Sequence, residues 1–196
     1  METRTRRTRA SWSARVAITL IALTLPTAAG RAAESAGDAA DNDLAVQHVR
    51  TIDSRLNALI ATGARQSPVF RTLVDRLNRS TVIVYVEHRL LPGQLSGRLT
   101  LIGGGQRGWR YLRIEIECRQ PLVNQIAALG HELQHAVEIA DAGAAVDQTS
   151  IRALYGTIGF ATDDSRRRFE SDAAKDAGNR IRRELSSHET VVASRR

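Results

Sequence analysis

Beyond residue 43 the apolar positions of this chain repeat with a period that changes along its length, and each change marks a new element. Leu44, Val46, Val49, Ile52, Leu56 and Ile60 recur at mostly helical intervals, which predicts a helix over 44–60 ended by the breaker-rich "TGARQSP". Phe70, Leu73, Val74 and Leu77 predict a second, shorter helix over 68–78. The period then drops to two. "TVIVYVE" (81–87) is dense in β-branched residues and "GRLTLIGGG" (97–105) is bounded by glycines, so both predict strands. In "WRYLRIEIEC" (109–118) Leu112, Ile114, Ile116 and Cys118 share one face, with Tyr111, Arg113, Glu115 and Glu117 on the other. That alternation predicts a half-buried antiparallel strand. Pro121 opens a third helix, followed by a short one over 147–157 and a long one over 164–186, before a tail expected to fray. Two helices, three strands and three helices make an α+β fold, in which helices pack on a small antiparallel sheet of about three strands.

The first 30 residues follow a different pattern. Arg4, Arg6, Arg7, Arg9 and Arg15 precede the uncharged apolar run "VAITLIALTL" (16–25) and then the small residues of "PTAAG". This is the layout of a secretory signal peptide spanning 1–30, and the apolar run is too short to cross a bilayer. Residues 31–42 read as a flexible start to the mature chain, 43–187 as one domain and 188–196 as a disordered tail. A periplasmic or secreted protein without a stable membrane anchor is expected. Removing 1–30 takes five arginines and Glu2 with it, so the balance falls from +7 to +3 and the argument for a nucleic-acid partner goes. One cysteine, Cys118, cannot form an internal disulfide and is expected to be a small buried residue.

"GHELQHAVEIA" (130–140) carries the candidate chemistry. Residues four apart on a helix lie on one face, so His131 and His135 can aim two ring nitrogens at one metal ion, with Glu132 beside them as a general base. The apolar residues Leu122, Ile126, Leu129, Leu133, Val137 and Ala140 fall on the opposite side, which leaves the histidine face looking into open space or a cleft. Glu138 shares that face, but seven residues from His131 it is about 10.5 Å along the axis, which suits a supporting role better than a shared ion. For a third ligand the long helix offers Glu170, a carboxylate in the middle of the apolar stripe of Phe169, Ala173, Ala177 and Ile181. A buried carboxylate there needs a metal ion or a buried arginine to neutralise it. Asp163 and Asp164 are further candidates, whereas His88 and His188 read as surface residues.

"HELQH" on a helix after a small sheet, with a glutamate downstream, resembles the gluzincin branch of the zincin metallopeptidases. The specific part of the likeness is the five-residue motif. The chain departs from the metzincin continuation, having Glu138 and Asp141 where that pattern places glycine and histidine. What the resemblance implies is Zn2+ held by His131, His135 and Glu170, a water activated by Glu132, and an exported enzyme that hydrolyses peptide or protein substrates. Tyr155 is then the candidate oxyanion donor, or else a core aromatic. The substrate would lie along a sheet edge formed by 97–105 or 109–118. The competing class is a non-catalytic extracytoplasmic module that keeps the fold and the zinc.

Overall fold

Two short polar side chains set where the first helices begin. Asp53 accepts a hydrogen bond from the Arg55 N–H and starts α1 (Ser54–Gln66). Ser67 ends that helix and caps α2 (Pro68–Asn78) by accepting from the Phe70 N–H, with Pro68 in the first turn where its missing donor costs nothing. The computed structural model describes residues 47–104, 108–162 and 168–193, with side chains through residue 187. The expected signal peptide, the flexible mature start, Asp163, Asp164 and the side chain of His188 lie outside the described residues.

The helix expected over 44–60 starts at Ser54 instead. Val49–Arg50 form a short strand, β1, which pairs in parallel with β2 (Val82–Arg89), opposing Val49 to Val84. Strand β3 (Gly97–Gly104) and strand β4 (Arg110–Glu117) complete a four-stranded sheet of order β1-β2-β4-β3. The sheet is mixed, which corrects the antiparallel expectation: β4 runs parallel to β2 from Val82↔Arg110 to Arg89↔Glu117, and only β3 and β4 are antiparallel. The reason is topological. The chain turns back through β3 on the far side of β4, so β4 re-enters the sheet in the direction of β2.

Val82, Val84, Val86, Leu99, Leu112, Ile114 and Ile116 join Phe70 and Leu77 of α2 in one buried cluster with Ile126, Leu129 and Leu133 of α3 (Leu122–Asp141). Each such side chain contributes roughly 1.5–3 kcal/mol when fully covered. The predicted polar face of β4 is also covered near its end. Glu115 and Glu117 are buried, Glu115 under the Arg98 guanidinium at 2.7 Å and Glu117 under Arg119 at 2.7 Å. Cys118 lies past the end of the strand and is exposed, against expectation. His88 is no lone surface residue either, since its Nδ1 meets Asp53 at 2.9 Å and its Nε2 meets Gln125 at 2.9 Å.

After α4 (Gln148–Ile158) the chain forms a small hairpin, β5 (Phe160–Ala161) with β6 (Phe169–Glu170), and then α5 (Asp172–Ala193). Helix α5 thus begins later than expected and continues into the stretch expected to fray. It crosses α3 closely at Gly130, where an added Cβ would stand 2.1 Å from Ile181 Cδ1. That approach presses α5 against the histidine side of α3, so a face expected to be open is packed. At the far end of α3, Arg110 donates to the Ile139 carbonyl at 2.6 Å, placing a cation where the helix carbonyls converge. No helix among the described residues is long and apolar enough to cross a membrane.

Candidate metal centre

His131 and His135 stand one turn apart on α3, with ring centroids 4.9 Å apart. Glu170 reaches them from β6. Successive side chains of a strand point to opposite sides, and here Phe169 stacks on Tyr155 at 5.7 Å while Glu170 turns toward the imidazoles. The helical stripe that singled out Glu170 does not exist, because the residue is in a strand. The physical reason for choosing it survives: a carboxylate among apolar neighbours needs a partner, and it finds the two histidines.

Glu170 Oε1 lies 3.3 Å from His131 Nε2 and 3.4 Å from His135 Nε2. Neither imidazole nitrogen makes a hydrogen bond at these separations. Two donors bound at about 2.0–2.1 Å to one tetrahedral ion stand about 3.3–3.4 Å apart, so the observed spacing is that of ligands around a shared centre. Both carboxylate oxygens of Glu132 are also buried without a hydrogen-bond partner. Four orphaned polar atoms together would be costly in an apolar interior unless an ion and its water satisfied them. His131, His135 and Glu170 form a buried group that can hold a metal ion.

A second layer stands behind His135. Its Nδ1 lies 2.9 Å from Glu138 Oε2, and the Tyr155 hydroxyl donates to the same oxygen at 3.0 Å. A carboxylate only accepts, so a proton sits on Nδ1, which leaves Nε2, on the Glu170 side, as the nitrogen that can give up its proton to a metal ion. Ser171 donates to the other oxygen of Glu138 at 2.6 Å. Glu138 therefore takes the supporting role expected of it. The Tyr155 hydroxyl meets the Nδ1 edge of His135, away from Nε2, and its ring is fully buried against Phe169.

Electrostatics follow from this packing. Burial raises the Glu170 carboxyl, but the imidazoles of His131 and His135 outweigh it and hold the group at about 2. Burial, reinforced by Glu170 and opposed by His135, pushes Glu132 up to about 8. Burial also depresses His131, against the pull of Glu170. At His135 burial is outweighed by Glu138, Glu170 and Glu132, which lift it to about 9. Glu138 is kept below its ordinary value, burial being overcome first by His135 and then by Ser171 and Tyr155.

Two participants escaped the sequence reading. Gly97, at the start of β3, sits against the Glu132 carboxylate: an added Cβ would be 2.8 Å from Oε1. Its signal was only a glycine at a strand boundary. Ser171 left a better one, a serine followed by Asp172 ahead of a helical run, the usual start of a helix. Comparison with known protein families, with curated proteins and with solved structures finds no match for this chain.

Proposed function

We propose that this chain is an exported zinc-dependent peptidase in which His131, His135 and Glu170 hold the ion and Glu132 is the general base. The observation that carries the reading is the convergence of His131 Nε2, His135 Nε2 and the Glu170 carboxylate, with both oxygens of the neighbouring Glu132 buried and unpartnered. Two imidazoles and one carboxylate with a fourth position open form a ligand set found in catalytic zinc sites. A bound zinc ion supplies a Lewis acid and acidifies a coordinated water. Glu132, on the next position of α3, is the residue that would take a proton from an attacking water as the new C–O bond forms and return it to the leaving amine as the C–N bond breaks. A nearby cation also favours the ionised carboxylate, which brings Glu132 down toward the range of a working base.

The sheet order supports one choice of substrate edge. Strand β4 is interior, so the 109–118 alternative falls away, and β3 is a terminal strand with Gly97 against the base. A peptide laid along β3 adds a strand to the sheet beside Glu132. Glu132 and His135 are fully covered, so an element over the site must part before a carbonyl reaches it. That burial is the one observation favouring a second reading, a zinc-stabilised module without catalysis. Against it stands Glu132, since an unpaired carboxylate costs a purely structural site stability and serves it nothing.

Purified chain should contain one zinc per molecule by elemental analysis, and Glu170→Ala should lose it. Unfolded casein should be cut by the wild type and spared by Glu132→Gln, which retains the ion. Casein left whole by zinc-loaded wild type, or cut equally by both proteins, refutes the catalytic assignment.

A further inference from the structure

We propose that Ser171 is a positioning residue of this centre, gripping with its backbone the carboxylate that completes the ligand group and with its side chain the carboxylate that orients His135. The proposal rests on reading His131, His135 and Glu170 as metal ligands. Ser171 is buried at the joint between β6 and α5. Its N–H donates to Glu170 Oε1 at 2.9 Å. Its hydroxyl oxygen accepts from the Ala174 N–H at 3.1 Å, as a residue does at the start of a helix. With that acceptor role filled, the single hydroxyl proton goes to Glu138 Oε1 at 2.6 Å.

Glu138 is thereby held at both ends. Ser171 fixes one oxygen, leaving the other for His135 Nδ1 and the Tyr155 hydroxyl. Without the Ser171 proton the Glu138 carboxylate is held at one oxygen only, and the acceptor that aims the His135 ring is less firmly fixed. The Glu170 carboxylate, restrained by the Ser171 N–H, is tied to the same residue. One position thus couples two ligands that arrive from different elements, α3 and β6. Partners of this kind typically change metal affinity by about 10–100-fold when removed.

The test is titration of the metal-stripped full chain with Co2+, read by the visible absorption of the bound ion, whose intensity reports coordination geometry. Ser171→Ala should bind about 10-fold or more weakly with an altered band. Ser171→Thr keeps the hydroxyl and should restore both. Ser171→Asp can still accept from the Ala174 N–H but has no proton for Glu138, so it should remain weak. If Asp restores binding as well as Thr, Ser171 is a helix cap only and the proposal is overturned. Wild-type affinity in Ser171→Ala overturns it too, with the metal reading intact. Failure of the wild type to bind Co2+ overturns the metal reading and this proposal with it.

Discussion

Replacing Glu132 by glutamine should make the metal-stripped chain more resistant to unfolding as pH rises. The folded Glu132 carboxyl titrates at about 8 against an ordinary 4.5, with burial as the largest cause. Between those values the folded chain keeps a proton that the unfolded chain has released, so the wild type loses stability as pH climbs. From 4.5 to pH 7 at about 1.36 kcal/mol per unit, the penalty is on the order of 3 kcal/mol, and it levels off above pH 8. Glutamine carries no such penalty. It does bury an amide with the same lack of partners, a cost of about 1–3 kcal/mol that does not depend on pH. The diagnostic is therefore the slope and not the offset. Thermal melts in chelator from pH 5 to pH 9 should show the variant gaining on the wild type by roughly 5–10 °C between pH 5 and pH 7, at about 2–4 °C per kcal/mol for a chain of this size. Zinc should flatten the difference, because a cation beside the carboxylate favours its ionised form. A gap between the two proteins that stays constant with pH in chelator would show that Glu132 is solvated in the folded chain, and the orphaned-carboxylate reasoning would fail with it.

Two further substitutions probe the groups around the base and the second histidine. Gly97→Ala places a methyl 2.8 Å from Glu132 Oε1, so the carboxylate must move. Casein hydrolysis should fall at least about 10-fold while zinc content stays at one per chain, given that small displacements of a catalytic group are costly; unchanged hydrolysis would separate Gly97 from the base. Tyr155→Phe removes a donor to Glu138 behind His135. Zinc affinity should drop about 10-fold, with turnover at saturating zinc changed little. A loss of turnover beyond about 100-fold at unchanged affinity would return Tyr155 to the oxyanion role.

The parts of this molecule legible in its sequence are those governed by short stretches of chain. Helix α2 is bounded by Ser67, Pro68 and an apolar period within eleven residues, and it forms where expected. His131 and His135 share a face because any helix places positions four apart together. The order of the sheet depends on which side of β4 the returning β3 occupies, a relation among residues far apart, and the alternation within "WRYLRIEIEC" is the same in either arrangement. His88 shows the same limit. Its partners Asp53 and Gln125 are each more than thirty positions away, and nothing near it in the chain announces them.

Glu170 separates two kinds of inference. Its geometry was misjudged, because the arginines before it and the apolar residues after it extend a helical pattern across a strand and a capping serine. Its chemistry was legible all the same, since the cost of covering a carboxylate is indifferent to whether a helix or a strand carries it. Conversely, α3 was placed correctly and its histidine face was misjudged as open, for exposure depends on what docks there. The close crossing at Gly130 brings α5 onto that face, and with it the Ser171 that grips Glu138 and Glu170. The same packing that hides the site is what completes it. An ion here would therefore bind a folded α3–α5 pair, and its affinity should follow the stability of that crossing as closely as the identity of its ligands.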